Sequence, residues 1–144
     1  MKKLLAIIIL MASSTCALAR NDISDYSVEE AMSTPKLSSA IGEGVSFYFG
    51  EQKYPKVLQN FGEFGSNKKT NAFGKSDKAA CQWAFASAIK SLKQRAEKEG
   101  GNAVINIRSN YKGNVTASDT TFKCGAGAIV AGVALVGDVV KIEG

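Results

Sequence analysis

The spacing of apolar residues changes along this chain, and each spacing implies a different element. Leu4 to Ala12 is an unbroken apolar run behind Lys2 and Lys3, followed by Ala17-Leu18-Ala19. A positive start, a short apolar core and a small-x-small motif make residues 1–19 a signal peptide, cleaved after Ala19. The run is too short to cross a bilayer, and no later stretch reads as a transmembrane segment. The working protein is therefore expected to begin at Arg20 and to be periplasmic or secreted. Cys16 lacks the lipoprotein pattern, because Ser13 and Thr15 stand where an aliphatic residue and a Gly, Ala or Ser are needed. It is read as part of the discarded peptide.

Residues 20–44 are polar and rich in serine. Ser27-Val28-Glu29-Glu30 fits a capping box, and Pro35 after Thr34 can open another short helical turn. This segment is expected to pack loosely on the domain or to act as a leader. The domain proper spans residues 45–144. Val45, Phe47 and Phe49 alternate with Ser46 and Tyr48, the period of a half-buried strand. Gly50 to Pro55 reads as a turn, and Lys56 to Phe64 as a second strand bulged at Gly62. Gly65 to Phe73 is polar and reads as a strand end or a loop.

One long helix follows. Ser76 or Asp77 caps it, and Gly100-Gly101 stops it after about Lys98. Cys81, Phe85, Ala88, Ile89, Leu92 and Ala96 recur at three- and four-residue steps, an apolar stripe for a sheet. Trp83 lies off the centre of that stripe, either as a flank of the core or as a surface contact. Ala103, Ile105 and Ile107 then alternate with Val104, Asn106 and Arg108, a third strand. Lys112 to Asp119 is a polar connection, Thr120 to Cys124 a further strand, and Val133 to Ile142 the last. The uncharged stretch from Cys124 to Gly137 suits buried strand. Its glycines signal bulges or close backbone approach, or else a surface for self-association into a homo-oligomer.

Together these periods predict an α+β fold, with one long helix packed on a mainly antiparallel sheet of roughly four to five strands. Composition adds limits. Of the net charge of +5, two units belong to Lys2 and Lys3. What remains is an ordinary solubility margin that calls for no nucleic-acid partner. There is no histidine, which removes histidine-based nucleophilic sites and the commonest general base. No pair of carboxylates sits in an apolar setting that would drive two pKa values apart. The sequence therefore predicts no catalytic residues, no metal ligands and no cofactor.

Cys81 and Cys124 are the only cysteines after the leader. In an oxidising compartment a disulfide is the default for such a pair, with a redox pair or a metal site as minor readings. Gly74-Lys75-Ser76 at the start of a helix is the tail of a phosphate-binding loop. A complete loop needs a glycine where Lys69 stands, so a glycine turn and a serine cap explain the same residues. The remaining candidates for ligand contact are Trp83, Tyr48, Tyr54 and Tyr111, with Lys68 and Lys69 in the basic stretch.

From Phe47 onward the chain resembles a family of short secreted bacterial proteins. The resemblance rests on Phe47-Tyr48-Phe49-Gly50, Asn67-Lys68-Lys69-Thr70, Ala80-Cys81, Ala84-Phe85, Gly101-Asn102-Ala103-Val104 and Cys124-Gly125-Ala126-Gly127. Members often carry the automatic name "excinuclease ATPase subunit", yet the phosphate loop and zinc cysteines which that name requires are missing from this sequence. The order of elements is also similar to the YbjQ group of small α+β domains and to the disulfide-bonded domain of the Rcs envelope-stress sensor lipoprotein. Neither likeness supplies catalytic residues, and fold likeness does not by itself assign a function. With no catalytic constellation in the residues, the expected role is a non-catalytic binding, sensing or envelope-maintenance one toward a protein or small-molecule ligand of the cell envelope. The family label would instead imply nucleotide binding or hydrolysis around Lys75 and Ser76.

Overall fold

The computed structural model describes residues 20–144. The expected signal peptide, residues 1–19, and with it Cys16, lies outside the described residues. Three helices and seven strands follow in the order β1 (Asp22–Ser27), α1 (Val28–Met32), α2 (Pro35–Ile41), β2 (Ser46–Phe49), β3 (Val57–Asn71), α3 (Asp77–Glu99), β4 (Ala103–Tyr111), β5 (Asn114–Thr116), β6 (Thr121–Ala126) and β7 (Val130–Ile142). The fold is α+β, and its mixed, mostly antiparallel sheet has seven strands rather than four or five. Among the described residues no helix is long and apolar enough to cross a membrane.

The last strand organises the sheet. Along one edge β7 pairs antiparallel with β3 from Val57↔Ile142 to Asn71↔Val130. Its other edge is shared: Gly132 and Ala131 meet Gly125 and Ala126 of β6, while Leu135 to Val140 meet β4. Outside these lie β1, antiparallel to β6, and the short β5, antiparallel to β4. The remaining strand, β2, runs parallel to β4, the one parallel pairing among the described residues. The polar stretch Ser66–Asn71 is strand and not loop, because β7 supplies a backbone partner for every residue of it. The Gly62 bulge is present, with a register shift between Asn60 and Gly62 and φ of 111° at the glycine.

Helix α3 lies across one face of the sheet. Ser76 Oγ accepts the Ala79 N–H at 3.1 Å to start it. Gly100, at φ of 86°, ends it in the left-handed conformation that glycine tolerates best. The expected stripe is buried: Cys81, Phe85, Ala88, Ile89, Leu92 and Ala96 all belong to the core between helix and sheet. Phe85 stacks on Phe122 with ring centres 4.2 Å apart, and on Phe49 at 5.9 Å. A second, smaller apolar cluster is formed by Ala103, Ile105, Val140 and Ile142, with Tyr48 and Val57 against them.

Residues 22–41 are part of this architecture rather than a loose attachment. Ser27 Oγ accepts the Glu30 N–H at 3.1 Å, one half of the expected capping box; the Glu30 carboxylate turns instead to Lys78. Val28, Ala31, Leu37 and Ile41 are buried in the main core. The preceding β1 is a strand despite its polar sequence, because it is an edge whose ladder to β6 needs only backbone groups.

Cys81 and Cys124 form a disulfide, joining α3 to β6 with both residues fully buried. The two cysteines are 43 residues apart in sequence. In the chain-entropy account closing such a loop is worth about 4 kcal/mol.

Candidate functional site

Two short local structures converge on one aromatic side chain. On one side, Thr34 Oγ1 accepts the Leu37 N–H at 3.4 Å and Pro35 opens α2. Burial of Leu37 then fixes α2 against α3 and carries Lys36 onto the face of Trp83. On the other side, β3 ends in a tight turn. Asn71 Oδ1 accepts the Phe73 N–H at 2.8 Å, and the Lys75 N–H donates to the Ala72 carbonyl at 3.1 Å. That turn needs Gly74 at φ of 72° and leaves the Lys75 ammonium 4.9 Å from the centre of the Trp83 ring.

Trp83 is therefore the floor of an electropositive recess. It is 44 % exposed, and a hollow of about 90 Å³ beside it is lined by Thr34, Lys36, Ala79, Gln82 and Ala86. Among the described residues neither Lys36 nor Lys75 has a carboxylate within ion-pairing distance. Loss of hydration against the indole, reinforced by the Lys75 charge, holds the Lys36 ammonium below the usual lysine range. The recess can offer one flat apolar surface and two ammonium groups to a ligand.

The Gly74-Lys75-Ser76 residues thus have structural roles. Gly74 makes the turn, Lys75 donates to the Asn71 carbonyl at 3.1 Å, and Ser76 caps α3. Next to them, Asp77 is gripped by Arg20, whose two guanidinium nitrogens reach its carboxylate at 2.8 and 3.0 Å. Those hydrogen bonds hold the Asp77 carboxyl below the usual carboxylate range and Arg20 above the usual guanidinium range. Among the described residues, no group of three or more His, Cys, Asp or Glu is arranged to hold a metal ion.

The chain matches no protein-family model and no curated protein.

The other side chains singled out from the sequence fall into separate groups. Tyr48 and Tyr54 meet edge to face, with centres 5.9 Å apart, and Tyr48 packs on the smaller apolar cluster. Tyr111 lies over Gly125, where a Cβ would overlap its phenol, and donates its O–H to Asn21 Oδ1 at 3.2 Å. Lys69 shares a hollow with Tyr111. Lys68 and Lys69 border a shallow depression with Ser87, Lys90, Ser91 and Gln94 of α3. Trp83 is brought together with Lys36 and Lys75, and not with the tyrosines. Lys36 carries no direct signal in the sequence. The only pointer is Thr34-Pro35, which starts a helix whose buried Leu37 follows Lys36 at once.

Proposed function

We propose that this protein is a non-catalytic binding and sensing module of the cell envelope, and that it takes up an anionic ligand at Trp83. The observation that carries this reading is the pair of lysines, Lys36 and Lys75, held on one exposed indole without a carboxylate to neutralise either. An acidic group entering the recess would draw Lys36 off the ring and leave the indole face for an apolar or flat part of the same ligand.

The non-catalytic part of the reading rests on side-chain chemistry. The chain has no histidine, and Asp77, a carboxylate with a shifted pKa, is committed to Arg20. The envelope location rests on the leader pattern of residues 1–19, and the buried Cys81–Cys124 bridge suits an oxidising compartment.

Calorimetric titration of the purified protein with glycerol phosphate, with glucuronate and with an acidic oligopeptide tests the reading. Heat of binding with one of these, lost in Trp83→Leu and in Lys36→Ala/Lys75→Ala, is the result expected. Absence of binding to all three, or binding that survives both variants, removes it. The same titration with a nucleotide and Mg²⁺ tests the role implied by the excinuclease label.

A further inference from the structure

The turn between β6 and β7 and the loop after β3 end at the same place. Three large apolar side chains stand out there: Phe73 is 76 % exposed, Ile129 66 % and Val130 46 %. The backbone holds them together, since the Ala72 N–H donates to the Ile129 carbonyl at 2.6 Å and Asn71 pairs with Val130. A single exposed apolar residue is ordinary on a protein surface; a cluster at one tip marks an interaction site. The turn itself, Gly127-Ala128-Ile129, has no polar side chain, where connections commonly carry Asn, Asp or Ser.

The surroundings of the tip are basic. Val130 borders a hollow of about 250 Å³ with Arg20, Lys69 and Lys112, and Lys75 stands on the loop that carries Phe73. Arg20 is spent on Asp22 and Asp77. Among the described residues Lys69, Lys75 and Lys112 have no carboxylate partner. The chain also arrives here. Asp22 pairs with Ala126, and the Arg20 carbonyl lies so close to Gly127 that a Cβ there would come within 2.7 Å of it.

We propose that this tip is a docking surface for an anionic lipid bilayer. Phe73, Ile129 and Val130 enter the boundary between headgroups and acyl chains, while Lys69, Lys75 and Lys112 meet lipid phosphates. Apolar burial and attraction to anionic lipid are the two terms that hold a peripheral protein on a membrane. A second copy of the chain fits this tip less well, because face-to-face packing would set three lysines against three. The inference goes beyond the ligand reading at Trp83 and stands without it.

The test is cosedimentation of the exported, processed protein with extruded vesicles of phosphatidylglycerol and phosphatidylethanolamine, and with vesicles of phosphatidylcholine alone. The protein is expected to partition onto the anionic vesicles at least about tenfold better. Phe73→Ser/Ile129→Ser and Lys69→Glu/Lys112→Glu are each expected to lower that partition by about tenfold or more. Their melting temperatures should match that of the parent, since these side chains are exposed. With Trp83→Phe and Phe73→Trp combined, the new indole is expected to shift to the blue on anionic vesicles and to be quenched by brominated lipid. Equal partition of the parent and Phe73→Ser/Ile129→Ser, whether both bind or neither does, overturns the proposal. So does a parent that ignores vesicles but dissociates from dimer to monomer on the same substitution, which would assign the tip to a second copy.

Discussion

The side-chain amide of Asn102 pairs with the main chain of Ile142 as a neighbouring strand would. Its Nδ2 donates to the Ile142 carbonyl at 3.0 Å, and its Oδ1 accepts the Ile142 N–H at 2.8 Å. The Asn102 N–H adds a bond to the Val140 carbonyl at 3.0 Å. Just before it, Gly101 lies against the same strand, where a Cβ would sit 2.8 Å from the Val140 carbonyl oxygen. The Gly-Gly-Asn sequence after α3 therefore divides its work among three residues. Gly100 turns the chain, Gly101 permits close contact, and Asn102 ties it to β7.

Asn102→Ala removes both side-chain bonds and leaves two partly buried backbone groups unpaired. A loss of about 1–3 kcal/mol is expected, read as a lower urea midpoint with an unchanged slope. Gly101→Ala should lose a similar amount by overpacking, about 1–3 kcal/mol, whereas Gly113→Ala, which has open space around it but φ of 78°, should lose only about 1 kcal/mol.

The Cys81–Cys124 bridge should act mainly on the unfolded chain. Cys81→Ala/Cys124→Ala is expected to lose about 4 kcal/mol relative to the oxidised protein. Both cysteines are fully buried, so the native protein should resist mild reductant and alkylation. Intact-mass measurement, without reductant and after alkylation, checks this: two hydrogens below the reduced mass and no adduct is the expected outcome, in denaturant as well as in buffer.

The Arg20–Asp77 pair gives the fold a dependence on acid. Asp77 is held below its ordinary value of 3.8 in the folded protein by its hydrogen bonds to Arg20. Its contribution is therefore fully present above that ordinary value and is lost as pH falls through the lowered folded one. Melting temperatures recorded from about pH 6 down to about pH 2 should fall less steeply in Asp77→Asn than in the parent. The protection of β1 amides, taken relative to their intrinsic exchange rate at each pH, should fall over the same window, because Arg20 ties the start of that strand to α3.

Much of this architecture is legible in the sequence, and what is legible is local. The bounds of α3 follow from Ser76 and from Gly100-Gly101, and its buried face from the steps between Cys81 and Ala96. The alternation at Val45, Phe47 and Phe49 marks β2, and Gly62 marks the bulge. What escapes is non-local. The first strand and the Ser66–Asn71 end of β3 carry mostly polar, exposed side chains, and their backbones are committed to β6 and β7. No side-chain period announces such pairing. The parallel pairing of β2 with β4 spans β3 and α3 in sequence, so neither strand signals the other. At the candidate site the same division holds. Trp83 is visible as a residue off the helical stripe, but Lys36 reaches it only because Leu37, its neighbour, buries α2 against α3.

The most direct measurement is the emission of Trp83, the sole tryptophan in the chain, during titration with the same acidic probes. A saturable change in intensity or wavelength with one probe, weakened by salt and abolished in Lys36→Ala/Lys75→Ala, is the result predicted. Emission indifferent to every probe, or a response equal in the parent and the double-lysine variant, would contradict the account of Trp83 as the floor of an anion-binding recess.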